Sequence, residues 1–392
     1  MKRDLPQRGR WISPGSGVCA STGFLGRFEL APGAWSARSD LLGPSLTAHH
    51  AQGQSACASR GQPAARGISH REVRRVDIAF GPIPSRRLGR SLGINNVPPK
   101  ACTYACVYCQ LGCTTQMESC RRAFYAPADI VKGVRDKVRA LRDQGETIDY
   151  LTFVPDGEPT LDLYLRQEIQ SLKDLGLPIA VISNASLVSR EDVRDALAEA
   201  SWVSLKVDAV SDAVWRRVDR PHKSLSLGEI KIGLAEFSST FRGILATETM
   251  LVRGVNDRPD ELEQVAELLT EVGPRVSYLA VPTRPPAEPW VEPPSAQGLG
   301  QAYAILSAKL PQVELLIGYE GDAFAASGDA ARDLLSITAV HPMREAAVRQ
   351  LLARDKAEWE IVEGLIRAEK LVRLDYGGHR FYMRALPGRR QR

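Results

Sequence analysis

A chain of 392 residues, 44% hydrophobic and 25% charged, has the length of roughly two or three domains and the composition of an ordinary water-borne protein. No window approaches the ~18 apolar residues of a membrane span, and the N-terminus lacks the apolar core of a secretory signal. The net charge of +5 sits at the ends: residues 1–75 hold eleven Lys/Arg against four Asp/Glu and residues 366–392 hold eight against two, so the middle is acidic and any attraction to nucleic acid has to come from the ends or a local groove.

Residues 1–75 show no sustained hydrophobic period and are rich in Gly, Pro, Ser, Ala and Arg. They are expected to be disordered, or to be upstream sequence translated from too early a start. From about Asp77 short apolar runs alternate with helical periods. Strands are expected at Ser91–Val97, Asp149–Val154, Leu177–Ser183, Trp202–Ala209, Gly243–Val252 and Val276–Val281. A helix opens near Ser189–Asp192, and another, acidic at its start, ends at Gly273. Strands alternating with helices of about ten to fifteen residues mean parallel βαβ units, and six of them make a partial (β/α)6 barrel over residues 76–318. Chemistry in such barrels gathers in the loops after the strands. The Pro-rich stretch "VPTRPPAEPWVEPPS", with Pro285 and Pro286, reads as an extended loop over the barrel mouth. Near Asp329 a small α+β unit begins and is expected to run to 386. It has amphipathic helices in "MREAAVRQLLA" and "EWEIVEGLIRAEK", and a hairpin around Gly377-Gly378. Two helices and a basic hairpin resemble a winged helix, with residues 387–392 as a basic tail. The hairpin interleaves Arg373, Arg380 and Arg384 with Tyr376, Phe381 and Tyr382, which either grip and stack on nucleic acid or simply cover the helices.

The stretch "ACTYACVYCQLGC" gathers four of the seven cysteines within a dozen residues. An odd, clustered set argues against a disulfide framework and for a reducing, cytoplasmic setting with thiolates used as ligands. Cys102, Cys106 and Cys109, in C-x3-C-x2-C order after the first barrel strand, can hold three irons of a cubane iron–sulfur cluster and leave the fourth iron open. A zinc site completed by Cys113, or the shifted triad Cys106, Cys109 and Cys113, also fits the spacing.

With Tyr108 between the last two cysteines, this motif resembles that of the radical S-adenosyl-L-methionine (SAM) superfamily. The resemblance implies a 4Fe-4S cluster on Cys102, Cys106 and Cys109. Its open iron chelates SAM, electron transfer to SAM yields a 5′-deoxyadenosyl radical, and Tyr108 approaches the adenine. "PDGEPTL" resembles the family's GGE segment, with Asp156 where the first glycine often stands. Gly157, Glu158 and Pro159 would then receive the SAM ammonium; the plainer reading is a helix start capped by Thr160. Ser183 and Asn184, at the next strand end, are fit for the SAM carboxylate or ribose, or for a capping turn. In "SLKVDA", Lys206 and Asp208 share a face by the two-residue period. Asp208 could accept ribose hydroxyls and Lys206 could serve catalysis by meeting a carboxylate or phosphate, unless the two form a salt bridge.

The likeness narrows over roughly residues 78–315. "FGPIPSRRLGRSLGINNVPPKACTYACVYCQLG", "DGEPTL", "KVDA", "RPH" (Arg220–His222) and "RGVND" (Arg253–Asp257) resemble a branch related to archaeal-type wyosine-base synthases, which modify a guanosine of tRNA. That branch uses a second cluster held by upstream cysteines, whereas only Cys19 and Cys57 lie upstream here. The implied enzyme takes electrons from a donor such as flavodoxin or ferredoxin and abstracts hydrogen from a substrate, a tRNA base or a protein, with no membrane involved. The rivals are a glycyl-radical-type activase, a zinc-stabilised nucleic-acid-binding protein and a plain electron carrier.

Overall fold

The computed structural model describes residues 77–318, 321, 324 and 328–385, all within one compact unit. The expectations for residues 1–75, Cys19, Cys57 and the tail 387–392 lie outside the described residues. Among the described residues no helix is long and apolar enough to cross a membrane.

The chain is a mixed α/β fold built on one curled sheet. Its strands are β1 (Ala79–Ser85), β2 (Gly89–Ile94), β5 (Tyr150–Phe153), β6 (Ile179–Ser183), β7 (Trp202–Lys206), β8 (Ile244–Met250), β9 (Val276–Ala280) and β10 (Val313–Leu316), adjacent in that order. β1 pairs antiparallel with β2, and every later pairing is parallel. This half-barrel is the expected radical-SAM-type partial barrel with two additions. β10 continues the parallel series and β1 covers the opposite edge. Neither carries a clear strand signal, because "VELL" is short and half polar while "AFGPIPS" holds a glycine and two prolines.

Strand alternation sorts the two faces. Leu151, Phe153, Val181, Val203 and Leu205 join the core under the helices. Ala180, Trp202, Ala246, Val276 and Tyr278 pack against one another on the concave side. The outer layer is α1 (Pro127–Asp143), α2 (Leu165–Leu172), α3 (Glu191–Leu197), α4 (Asp212–Val218), α5 (Leu227–Thr240), α6 (Pro259–Val272) and α7 (Ala296–Ser307). α6 shows how the sequence sets such a helix. Pro259 opens it, Asp260 and Glu261 fill its first turn, and Gly273 ends it in the left-handed region at φ 60°.

The last elements are α8 (Ala330–Val340), β11 (Met343–Arg344), α9 (Glu345–Arg354), α10 (Glu360–Arg367), β12 (Leu371–Tyr376) and β13 (His379–Arg384). β13 lies between β11 and β12 in a three-stranded sheet. Their core takes in Phe80 and Ile83 of β1 alongside Leu334, Ile337 and Val340 of α8. Burying each such side chain contributes about 1.5–3 kcal/mol, so these elements are fastened to the half-barrel edge. Phe381 and Tyr382 are buried, Arg380 pairs with Glu345 at 3.1 Å, and the Tyr376 hydroxyl donates to the Pro282 carbonyl at 3.0 Å. Tyr382 packs edge-on against Trp359 in the core beneath the helices, and Phe381 is buried on the opposite face of the strand.

Candidate active site

The cysteine segment is a loop tied at its base. β3 (Ala101–Cys102) runs parallel to β4 (Gln116–Met117), and the loop between them is clipped from outside. Ala105 N–H donates to the Asp219 carbonyl at 3.0 Å, Val107 N–H to Val218 at 2.9 Å, and His222 N–H to Thr103 at 2.8 Å. "VDRPH" is thus the strap that shapes the loop. Lys100, Ala185 and Arg220 are non-glycine residues with φ of 64°, 64° and 46°, and all three flank this loop. Left-handed backbone at such residues is strained, and strain held in place by its surroundings clusters at functional sites.

The three thiols of Cys102, Cys106 and Cys109 are half-buried, and each lies within the others' electrostatic reach. Burial pushes Cys102 up to about 12, with the Glu158 carboxylate adding to the rise. Cys106 is raised by burial and by Asp219. Such thiols become thiolates only when a strong cation stands beside them, as in a metal centre. Two N–H donors point at the sulfurs: Asn184 Nδ2 lies 3.6 Å from Cys102 Sγ and Lys100 Nζ lies 3.7 Å from Cys109 Sγ. Among the described residues no three His, Cys, Asp or Glu side chains form a ready single-metal site. A cubane spreads its thiolates over separate irons, so its ligands need not converge on one point, and the donor set fits that group. Cys113 is exposed.

The loop after β5 comes in beside the cysteines. Gly157 bridges to Ala101, and an added Cβ there would stand 2.2 Å from the Ala101 carbonyl oxygen, so only glycine fits. Glu158 is almost fully buried. Its Oε1 accepts from Thr160 N–H at 3.0 Å, Thr160 Oγ1 at 2.6 Å and Ser183 Oγ at 2.8 Å, and its Oε2 accepts from Asn184 N–H at 2.8 Å. Glu158, and not Thr160, therefore caps the short turn Pro159–Leu161. The carboxylate also locks the Ser183–Asn184 corner, and Asn184 Nδ2 donates on to Thr103 Oγ1 at 2.7 Å. What Gly157–Pro159 presents toward the loop is main chain.

The alternative of a Lys206–Asp208 salt bridge is not the pairing formed. Lys206 pairs with Glu248 at 3.0 Å, because Lys206 and Glu248 face each other in the β7–β8 register. Arg87 also binds Glu248. Despite burial, Lys206 and Arg87 hold the Glu248 carboxyl down at about 2, while Asp208 and Glu248 outweigh burial and raise Lys206. The Lys206 ammonium lies 4.7 Å from the centre of the Tyr108 ring, a cation–π contact. Asp208 accepts from Met250 N–H at 2.7 Å and from the Tyr108 hydroxyl, which also lies 3.3 Å from Asp219. Burial and the neighbouring Asp208 carboxylate raise Asp219 well above the usual carboxylate range. Asn256 of "RGVND" holds this corner, its Nδ2 donating to the Asp208 and Met250 carbonyls at 2.8 Å each.

A cavity of about 160 Å³ opens inside the sheet next to the cysteine loop, lined among others by Arg87, Gln110, Thr152, Arg284 and His341. His341 comes from the end of α8, so the C-terminal elements help wall it. Burial and Arg284 keep His341 well below its usual range and hence neutral.

Residues 96–284 match the radical SAM superfamily. A UPF0026 protein of Methanocaldococcus jannaschii is 43% identical over 316 residues, 80% of this chain and 98% of the relative. The chain belongs to the UPF0026 family, within the radical SAM superfamily. It is therefore an enzyme whose cofactors are SAM and a 4Fe-4S cluster, and it needs a reductant and a substrate. Among solved structures, a radical SAM methyltransferase from Sphaerobacter thermophilus is similar at 17% identity and a TM-score of 0.44, covering 58% of this chain and 66% of that one. TYW1 with a lysine-pyruvate adduct bound is similar at 17% identity and a TM-score of 0.46, covering 56% and 74%.

Lys100, Asp219, Glu248 and Arg87 escape a reading of local motifs, because each meets the site across the fold. Lys100 directly precedes the first cysteine strand, and that adjacency was its one available signal.

Proposed function

We propose that Cys102, Cys106 and Cys109 ligate three irons of the cluster and that the remaining iron takes SAM. The bound cluster supplies the low-potential electron that cleaves SAM to the 5′-deoxyadenosyl radical, which abstracts hydrogen from the substrate. The observation that carries this reading is that three thiols of one loop lie within one another's electrostatic reach, with Asn184 and Lys100 donating toward two of the sulfurs. Backbone at Gly157, Glu158 and Pro159 receives the SAM ammonium. Ser183 and Asn184 serve the SAM carboxylate or ribose. Tyr108 and Asp208 stand on the nucleoside side, and Lys206 faces an anionic group of the substrate across Tyr108. The sheet and the C-terminal elements, read as a winged-helix-like unit over residues 329–386, keep water from the reacting centre.

A base of tRNA is the substrate class that the quoted motifs favour, and a flavodoxin or ferredoxin is a fitting donor. A cytoplasmic setting fits a protein whose chemistry needs reduced thiols. Anaerobic reconstitution followed by SAM turnover tests the reading. It expects a brown chromophore, iron and sulfide in equal amounts, and 5′-deoxyadenosine as product, all lost in Cys102→Ala. Deuterated tRNA offered as substrate should pass deuterium into 5′-deoxyadenosine. Cluster assembly without SAM cleavage would leave an electron carrier and refute the proposal.

A further inference from the structure

Asp156 stands in the loop after β5 beside Gly157, and a buried lysine faces it. Lys100 and Asp156 are 4% and 3% exposed. Their charged atoms lie 3.5 Å apart. Lys100 N–H donates to the Asp156 carbonyl, and Lys100 holds the left-handed φ of 64°. Its Nζ lies 2.9 Å from the Gly112 carbonyl and 3.7 Å from Cys109 Sγ. Both residues also line a cavity of about 370 Å³ between the cysteine loop and α8. Burying an ion pair gains little stability as such, because desolvation offsets the attraction. A strained backbone that brings an ammonium to a sulfur therefore asks for another explanation.

We propose that Lys100 and Asp156 set the reduction potential of the cluster, Lys100 raising it and Asp156 moderating that effect. This rests on the ligand reading above. Reduction adds one negative charge to the cluster. An ammonium that hydrogen-bonds a ligand sulfur stabilises that charge, and a carboxylate one step behind it weakens the stabilisation. The low local dielectric of a buried pair makes both effects larger than they would be in water.

The test is a potentiometric titration of the reconstituted holoenzyme without SAM, with reduced cluster counted by electron paramagnetic resonance and iron measured on each sample. Lys100→Met should lower the reduced-to-oxidised ratio at fixed potential about tenfold, a shift of about 59 mV to the negative for one electron. Lys100→Arg should stay within threefold of wild type, and Asp156→Asn should shift the opposite way from Lys100→Met. A shared loss of structure moves both variants in one direction, and that result overturns the proposal. So does a Lys100→Met enzyme with full iron and an unchanged potential. If Lys100→Met holds no iron, Asp156→Asn decides: a positive shift supports the proposal, and no shift or a negative one overturns it. A wild-type chain that assembles no cluster overturns the ligand reading itself, and this inference with it.

Discussion

Removing the Glu158 carboxylate should loosen the cysteine loop without touching a cysteine. Four donors converge on it: Thr160 N–H, Thr160 Oγ1, Ser183 Oγ and Asn184 N–H. In Glu158→Ala the two hydroxyls can turn elsewhere, but the two backbone N–H groups stay buried without an acceptor. Each such orphan costs about 1–3 kcal/mol, so the two together cost roughly 2–6 kcal/mol against a typical stability of about 5–15. Glu158→Gln separates the contributions. Its amide oxygen can take the place of Oε1 and keep three donors, while its NH2 faces Asn184 N–H and repels it. One charge-assisted bond is lost, about 1.5–3 kcal/mol. Urea denaturation of the cluster-free chain should show midpoints in the order wild type, Glu158→Gln, Glu158→Ala, with unchanged slope. Both variants should also release iron faster after reconstitution, because Asn184 no longer holds its place beside Cys102. A Glu158→Ala cost below about 1 kcal/mol, or equal costs for the two variants, would refute the reasoning.

Alanine at Cys102, Cys106 or Cys109 should each abolish iron retention, while Cys113→Ala keeps it; loss of iron in Cys113→Ala with retention in Cys102→Ala would point to the shifted triad. Gly157→Ala should force the β5 loop away from Ala101 and cost roughly 1–3 kcal/mol, whereas Gly364→Ala, in α10 with open space around it, should be neutral or stabilising by up to about 1 kcal/mol; equal melting-temperature shifts would deny the close approach. Burial and then Asp162 push the Glu168 carboxyl up to about 10, above its unfolded value of 4.5. The folded state thus keeps a proton that the unfolded state releases, and stability falls by up to about 1.4 kcal/mol per pH unit as pH rises between those values. Glu168→Gln should flatten that fall between pH 6 and 9 in urea titrations, and parallel curves for variant and wild type would sink the idea.

The half-barrel was legible because its signals are local. β-branched runs of four to seven residues separated by amphipathic periods need no partner to be recognised, and the six central parallel strands follow from them. The two outer strands were not legible, for different reasons. β10 is a four-residue segment whose strand character comes from pairing with β9. β1 holds Gly81, Pro82 and Pro84 and is a strand because β2 and α8 pack against it. α8 is capped by Asp329, whose side chain accepts from Arg332 N–H at 3.1 Å. The helix itself was hidden in the sequence by the polar residues that α8 buries, Asp333, Ser336 and Thr338.

The site divides the same way. Cysteine spacing and the strand-end motifs are properties of neighbours in sequence, and they brought Cys102, Glu158, Ser183, Asn184 and Asp208 to one end of the sheet. Which charge meets which is a property of register, and register lies beyond a local reading. Lys206 and Asp208 share a face by the period of two, yet Lys206 pairs with Glu248, because the parallel register of β7 with β8 sets them side by side. Asp208 is then free to accept from Tyr108, which ties the cysteine loop to β7. Thr160 offered a helix-capping hydroxyl, but a buried carboxylate two residues earlier wins the role, because an ionised acceptor can serve four donors and a hydroxyl cannot. The buried charges around the loop fall into two groups, Lys206 with Glu248 and Arg87, and Lys100 with Asp156. Each pair joins segments far apart in sequence. Lys206 meets the loop at the Tyr108 ring and Lys100 meets it at the Cys109 sulfur, so a substitution in either group should be felt at the cysteine loop.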